Sequence, residues 1–489
     1  MIPAATLVLL TAAFVNASLR AGGMNSVGWS LSLSLIASAG LVFWLGSPRS
    51  DLSPRLPGRF RLAFSLLLGL LILQILPLPI GIIRIVSVVD ARALDPLVKF
   101  LPGAWFGTLS LAPFSSFLAT VNLLAFAVVL LLMREIAWRL HEHVWIAATP
   151  LLLMALGQAT YGLVQYAADP SHGVAAGTFL NRDHFAAFLE MCLPFAIFHV
   201  WTLIAGHRSN GQPVSILSAI KISGMFFVVA AILLAELRSL SRLAPLSTLI
   251  SFALVIWLLL RLRRSGLSLL LRFGSAVALA AFVIILLIPE RTFVRFAGAW
   301  DDDGVYDVRQ LIWRDTGRMI ADHPAAGVGF GAFAYGFPFY QQELPNSRVR
   351  YAHNDYLQWL AELGVPGGIV LITLLTFFFA IAVRASVVAM ASDAQPRSHL
   401  FPLACTAGMA ALMLHSFGDY NFYVPVNAMT FAWITGMAAG TDPSIHLQRL
   451  LPAIAASSAI AIEDGRAIDV TIIHPGTPSQ PRLGGTSRL

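Results

Sequence analysis

The stretch that decides the fold is residues 114–133, FSSFLATVNLLAFAVVLLLM, which contain no charged side chain. A helix needs about 20 consecutive apolar residues to cross the hydrocarbon core of a bilayer. Runs of this kind recur along most of the chain, for example at 243–260. The pattern therefore predicts membrane-spanning helices rather than the core of a soluble domain.

The composition of the whole chain supports the same interpretation. Of its 489 residues, 57% are hydrophobic and only 12% are charged, whereas an ordinary soluble domain has about 25% charged residues. The net charge is +7, but no basic soluble domain is present to bind nucleic acid. The two cysteines, Cys192 and Cys405, lie in apolar stretches and are expected to be small buried side chains.

The apolar runs predict an all-α polytopic membrane protein with about twelve transmembrane helices. The predicted spans are 3–19, 27–46, 62–83, 114–133, 144–167, 184–205, 218–237, 243–260, 269–289, 361–383, 400–418 and 425–440. Orientation follows from arginine in the short loops, because cytoplasmic loops carry an excess of basic residues. These arginines, among them Arg59, Arg134, Arg208 and Arg263, follow the second, fourth, sixth and eighth spans. Both termini are therefore predicted to be cytoplasmic.

The opposite face holds two long connections, at 84–113 and 290–360. In a bacterial inner membrane this face is the periplasm. The predicted organisation is a transmembrane domain over 1–440, with 290–360 as a large periplasmic loop, and a weakly ordered cytoplasmic tail over 441–489. The tail lacks long apolar runs and ends in a segment rich in Pro, Gly, Ser and Thr.

The 290–360 segment is the large polar piece of the chain, and it combines aromatic side chains with arginines such as Arg309, Arg314 and Arg350. Aromatic rings suit the headgroup level of a bilayer, and arginine can hold a phosphate through two parallel N–H groups. The segment is therefore expected to bind an amphipathic ligand. The run 301–303, three adjacent aspartates, is interpreted as a solvated loop rather than a metal site, because no further ligand follows at a fixed spacing.

Two more arginines, Arg238 and Arg242, lie at a tight outer turn between two apolar spans. Arginine is disfavoured in short outer loops and costly inside a membrane, so its presence there is a hypothesis of function. For Arg238, substrate binding and snorkelling to lipid headgroups both stay open. Arg242 is followed directly by Leu243 and a long apolar run, and for it the functional role is favoured.

Residues 353–367, HNDYLQWLAELGVPG, resemble the signature of the O-antigen ligase and polymerase superfamily of bacterial membrane glycosyltransferases. The shared pattern is His353 followed by Asn354, then nine residues, and then Gly364 and Gly367. The preceding stretch 323–333, HPAAGVGFGAF, resembles a loop of the same family.

Three shorter matches extend the resemblance to about residues 150–440. The segment 181–186, NRDHFA, resembles the family ahead of the sixth span. Ser241-Arg242 resembles its Ser-Arg-Gly turn, although Leu243 stands in place of the small residue. Asp419 lies where the family often has an aspartate near the last periplasmic turn.

The resemblance implies a GT-C-like enzyme that takes a glycan from undecaprenyl diphosphate and passes it to an acceptor hydroxyl, without a metal or other cofactor. A lipid A core, another glycan or a protein is the acceptor, so a ligase, a polymerase and a protein oligosaccharyltransferase all stay open. A polytopic transporter is the alternative from another class. Glu190 within the sixth span favours it, whereas the concentration of polar residues on one face favours chemistry at the membrane surface.

The reaction itself suggests roles for individual residues. Arg242 and Arg309 are assigned to the diphosphate, by position and by resemblance, because arginine stays ionised and neutralises the charge of the leaving group. His353 is the candidate general base for the acceptor hydroxyl, a role typically worth ~10²–10⁴-fold in rate. Direct attack opposite the diphosphate inverts the anomeric carbon. Further substrate-binding residues are expected at Arg182, Arg238, Arg314, Arg350, Tyr356 and Asp419.

Three polar residues of the 353–367 motif also have structural interpretations. Asn354 and Asp355 fit as caps of the following helix. Glu362 either supports the site or pairs with an arginine, and the sequence does not separate these two roles.

Overall fold

The computed structural model describes residues 2–48, 53, 56–86, 105–169, 173–209, 215–262, 308–342, 348–391 and 396–442. Within these ranges the protein is almost entirely helical. The helices are α1 (Ile2–Leu19), α2 (Ser26–Gly46), α3 (Gly58–Ile75), α4 (Ile80–Val86), α5 (Pro113–Arg139), α6 (Trp145–Ala168), α7 (Arg182–Ser209), α8 (Ile216–Arg238), α9 (Leu243–Leu262), α10 (Val308–Asp322), α11 (Phe333–Gly336), α12 (Asp355–Ala391), α13 (Pro396–His415) and α14 (Pro425–Gly440). Among the described residues, Leu78–Pro79 (β1) and Phe106–Gly107 (β2) form the one sheet, which is antiparallel.

Nine of the described helices, α1–α3, α5–α9 and α12, are long and apolar enough to cross a membrane. This confirms the all-α polytopic membrane fold. Helices α13 and α14 coincide with the last two predicted spans. The predicted span 269–289, the aspartate run 301–303 and almost all of the predicted tail lie outside the described residues.

The third span ends earlier than its prediction of 62–83. Helix α3 stops at Ile75, just ahead of Pro77 and Pro79, since proline cannot donate a helical backbone hydrogen bond. The chain then pairs β1 with β2 and continues as the short helix α4. Residues 78–83, which were predicted to continue the span, therefore form β1 and part of α4 instead.

Helix α12 is longer than its predicted bounds of 361–383, because it begins at Asp355 and ends at Ala391. The Asn354 side chain caps it by accepting a hydrogen bond from the backbone N–H of Leu357 at 3.1 Å, which confirms the structural role expected for Asn354. Helix α12 also bends at Gly364, whose φ of +68° lies in the left-handed region that favours glycine.

Two helices of small, apolar residues lie in the centre of the bundle. Every residue of α14 is buried, and α13 packs closely on α7. A Cβ atom at Gly408 on α13 would lie 2.6 Å from the carbonyl oxygen of Met191 on α7. This close approach fixes the ends of α7 and α13 relative to one another, and polar residues collect at those ends. Cys192 and Cys405 are both buried and free, as expected.

The polar segment predicted as a large loop contains helical structure where it is described. Helix α10 is amphipathic, with Ile312, Thr316 and Met319 on its buried face. The short helix α11 follows after the Gly-rich stretch 327–331. These elements carry several of the residues singled out in the sequence.

Candidate active site

His353 lies in the turn ahead of α12, with a φ of +49°. A residue other than glycine in this region is strained, and such strain concentrates at functional sites. Nδ1 of His353 lies 3.2 Å from Oδ1 of Asp419, and the His353 side chain is 30% exposed while Asp419 is fully buried. A carboxylate that accepts from Nδ1–H fixes the ring and leaves the lone pair on Nε2, where a general base needs it.

The same carboxylate contacts a second histidine, because Nε2 of His184 in the first turn of α7 lies 3.5 Å from Oδ2 of Asp419. Burial by itself raises the pKa of Asp419. The contacts with His184 and His353, together with the nearby His415, outweigh burial and hold that pKa well below its ordinary value. Asp419 is therefore ionised and orients both neighbouring imidazole rings.

Aromatic rings surround the two histidines. His353 and His184 both meet the ring of Tyr420 edge to face, with centroids 4.9 Å and 4.5 Å apart. Tyr351 stacks on Tyr420 at 4.0 Å, and Tyr423 follows at 5.7 Å from Tyr351. Burial raises the pKa of the Tyr351 and Tyr420 hydroxyls, so both stay protonated. The stack holds His353 in place and excludes water from one side of it.

A polar cavity of about 90 Å³ adjoins this cluster. Its lining residues are Arg182, Asp183, Leu240, Arg242, Leu243 and Arg309. The three arginines come from the start of α7, the turn before α9 and the start of α10. The guanidinium of Arg309 lies 4.0 Å from the carboxylate of Asp183.

The cavity and the histidine cluster are parts of one site, because Arg182 and Asp183 directly precede His184. Three guanidinium groups around one carboxylate give the cavity an excess of positive charge. Planar guanidinium groups bind phosphate oxygens through paired N–H donors. The cavity is therefore suited to a phosphate or diphosphate group.

Four other predicted site residues are not among those that line the cavity. Arg238 lies over the ring of Tyr166 at 4.9 Å and donates to its hydroxyl at 3.1 Å. Arg314 lies 3.4 Å from the carboxylate of Asp315, which is nearly fully buried. Both arginines have structural partners, and a role for them in substrate binding stays a prediction.

The remaining two, Tyr356 and Arg350, also stay predictions. The Tyr356 hydroxyl donates to the carbonyl of Met413 at 2.7 Å, and its ring packs on Phe417 at 4.4 Å. These contacts join α12 to the end of α13. Arg350 is exposed next to Tyr351.

Behind the site, a fully buried pair links α7 to α13. Oε1 of Glu190 lies 3.0 Å from Nδ1 of His415, and neither side chain is exposed. Ser247 on α9 donates to the other oxygen of Glu190 at 2.5 Å. The pair and Ser247 therefore join α7, which carries His184, to α9, which follows Arg242, and to α13, which precedes Asp419.

Residues 226–372 match the family model described as O-antigen ligase. This match supports the resemblance of the chain to the O-antigen ligase and polymerase superfamily. No curated protein matches the chain. The matched O-antigen ligase segment contains Arg242, Arg309 and His353, whereas Arg182 and Asp419 lie outside it.

Within the segment that matches the O-antigen ligase model, Glu362 supports the site through backbone and side-chain hydrogen bonds, and none of its partners among the described residues is an arginine. Its buried carboxylate accepts from the backbone N–H groups of Gly331 and Phe333 at 2.7 Å and 3.2 Å, and from the Tyr423 hydroxyl at 2.5 Å. A Cβ atom at Gly327 would lie 2.4 Å from the carbonyl oxygen of Glu362. Gly327 is thus required for the close approach of this stretch to α12.

Gln74 is a residue that stabilises the Gly-rich stretch of the site and that the sequence did not single out. This fully buried side chain at the end of α3 donates to the carbonyls of Ala326 and Glu362 at 2.6 Å and 2.8 Å. It also accepts from the backbone N–H of Phe330 at 3.0 Å. A glutamine in an apolar run carries no local signal of such distant partners, so only the tertiary structure reveals its role.

Proposed function

We propose that this protein transfers a glycan from undecaprenyl diphosphate to an acceptor hydroxyl at the periplasmic face of a bacterial inner membrane. The match to the O-antigen ligase family supports the broad class of reaction. One observation carries the specific mechanism: His353, oriented by Asp419, adjoins a cavity lined by three arginines. A base and a cationic site are the two groups that such a transfer requires.

The arginines act on the donor. Arg182, Arg242 and Arg309 hold the diphosphate while the bond between its oxygen and the anomeric carbon breaks. The diphosphate leaves with the electron pair, and its negative charge grows near the guanidinium groups. Donors placed where charge develops stabilise the transition state more than the ground state. In this mechanism arginines carry out the neutralisation, and we propose no metal.

His353 acts on the acceptor. Nε2 takes the proton of the acceptor hydroxyl as its oxygen forms the new bond to the anomeric carbon. Attack from the face opposite the diphosphate inverts that carbon and needs no covalent intermediate. The ionised Asp419 stabilises the imidazolium that forms, and the proton then passes to solvent.

We favour a lipid A core as the acceptor, which makes the protein an O-antigen ligase. A polymerase of O-antigen or exopolysaccharide and a protein oligosaccharyltransferase are the alternatives within the superfamily. The lipopolysaccharide ladder of a deletion strain separates them. Loss of a ligase leaves bare core and accumulated lipid-linked polymer, whereas loss of a polymerase leaves cores capped by single repeats. An unchanged ladder together with unchanged glycoproteins would contradict the proposal.

The catalytic assignment is tested with His353→Ala and a matched control, His143→Ala. His143 is an exposed histidine outside the cluster. Both proteins are purified at equal levels and assayed for transfer from a lipid-linked glycan. We expect a loss of ~10²–10⁴-fold for His353→Ala, the usual worth of a general base, and no loss for the control. Full activity of His353→Ala would exclude it as the base.

A transporter would move its ligand across the membrane without forming a glycosidic bond. Glu190, the residue that favoured this alternative, is paired with His415 behind the site. In our proposal Glu190 belongs to the support of the active site, so it no longer argues for transport.

A further inference from the structure

A second cavity lies in the membrane-spanning part of the protein, between α3, α5, α12 and α14. It has a volume of about 610 Å³, within the range of about 300–1,000 Å³ that is usual for ligand sites. Its walls are mostly aromatic and aliphatic side chains, including Phe60, Phe64, Phe126, Leu374, Phe378 and Phe431. We call it the apolar groove.

The apolar groove is long. On α5 alone its lining residues extend from Ala119 to Arg134, which at a rise of 1.5 Å per residue is about 22 Å. The hydrocarbon core of a bilayer is about 30 Å thick. The groove is therefore long enough to hold an extended hydrocarbon chain over most of one bilayer crossing.

The two ends of the groove differ in charge. One end is closed by rings, among them Phe330, Phe422 and Tyr423. The other end is lined by Arg61, which is exposed, and Arg134, which is nearly buried and donates to the Ser53 hydroxyl at 2.6 Å. An apolar body with a cationic end complements a lipid that has an anionic headgroup.

The apolar groove is separate from the arginine cavity of the active site. The two share no lining residue, and the residues that line the arginine cavity lie on or next to α7, α9 and α10 rather than on the groove helices. The far end of a polyprenyl chain carries no charge, so it has no group that would bind Arg61. The donor lipid therefore does not account for the cationic end.

We propose that the apolar groove binds an anionic phospholipid, with its phosphate at Arg61 and Arg134 and an acyl chain along α5. In the orientation predicted from the arginines, this headgroup belongs to the cytoplasmic leaflet. The bound chain fills the space between α3 and α12, the two helices joined by Gln74 and the backbone of Glu362. The lipid thus stabilises the packing that holds the Gly-rich stretch of the site.

The test uses the purified full-length protein and native mass spectrometry with added lipids. Phosphatidylglycerol and phosphatidylcholine with identical acyl chains are compared, so that only the headgroup charge differs. We expect preferential retention of phosphatidylglycerol by the wild-type protein. Arg61→Gln should weaken that retention about five-fold, the worth of one basic residue at an anionic membrane surface.

Arg59→Gln is the matched control, because Arg59 lies in the same turn of α3 but over the ring of Phe377, outside the groove lining. It should leave lipid retention unchanged. Ala127→Phe places a ring inside the groove and should remove both lipids without changing the charge. Equal retention of the two lipids by the wild-type protein would overturn the proposal, as would equal losses for Arg59→Gln and Arg61→Gln. Displacement of the lipid by inorganic phosphate alone would also overturn it, because the site would then recognise the anion and not the lipid.

Discussion

Removing one partner of the Glu190–His415 pair should destabilise the protein strongly. The two side chains are 3.0 Å apart and fully buried, so Glu190→Ala leaves the His415 imidazole without its partner in a low-dielectric interior. Such a loss typically costs ~3–5 kcal/mol. Ser247 adds little to this cost, because its hydroxyl keeps the carbonyls of Leu243 and Ala244 as acceptors.

Glu190→Gln separates the charge from the shape of the side chain. The glutamine carbonyl can still accept from His415, and its amide N–H can donate to the Ser247 hydroxyl, so the cost should fall to about 0.5–1.5 kcal/mol, the usual net worth of a neutral hydrogen bond. Glu236→Gln is the matched control. Glu236 is also a buried intramembrane glutamate, but its carboxylate accepts from the Thr248 hydroxyl at 2.9 Å rather than from a histidine.

The assay is reversible unfolding in mixed detergent micelles, followed by glycan transfer at saturating and limiting donor. We expect the order of destabilisation Glu190→Ala, then Glu190→Gln, then Glu236→Gln. Transfer by the folded Glu190 variants should also drop, because α7 and α13 position His184 and Asp419. If Glu190→Ala and Glu236→Gln have equal free energies of unfolding, the pair is not the stabilising element inferred here.

Three further predictions concern the site. Asp419→Asn should lower transfer by roughly 10²-fold, because His353 loses the carboxylate that orients it. The folded-state pKa of Asp419 lies below the unfolded value of ~3.9. The ionised carboxylate should therefore stabilise the folded protein fully above that pH and less as the pH falls below it, which acid unfolding of both proteins measures. Arg309→Gln should reduce turnover by about 10²–10³-fold, the worth of one transition-state donor. Arg314 is paired with Asp315 and does not line the cavity, so Arg314→Gln should change turnover little. Steady-state kinetics of the two variants test this difference. Gly364→Ala should lower the free energy of unfolding by about 1–3 kcal/mol, because the φ of Gly364 is +68° and a Cβ atom there would lie 2.7 Å from the backbone carbonyl of Ala325. Gly317→Ala is the control, because Gly317 lies in a helix with open space around it, and this change should be neutral or slightly stabilising. Unfolding midpoints of the two variants test this prediction.

The membrane fold was predictable from the sequence, because a helix that crosses a bilayer satisfies its own backbone hydrogen bonds. Its apolar length is therefore a local property. Spans such as 114–133 and 218–237 appear in the structure as α5 and α8 with small shifts at their ends. The prediction of 62–83 was wrong at its C-terminal end, where the prolines in 76–79 divert the chain into a strand.

The candidate active site was predictable only in part. The resemblance singled out His353, Arg242 and Arg309, and Asp419 was assigned to substrate binding. The structure makes Asp419 the partner of two histidines, and Arg238 and Tyr356 are not among the residues that line the cavity. Distances between residues so far apart in the chain depend on how the helix ends pack, and no local pattern contains them.

The sequence by itself determined that the chain spans a membrane as helices, and it identified a family motif around His353. Only the tertiary structure decided which polar groups meet: Asp419 with His184 and His353, and Glu190 with His415. The physical reason is the difference in range. The length of an apolar segment depends only on consecutive residues. A buried carboxylate contacts its partners only when helices from distant parts of the chain pack together.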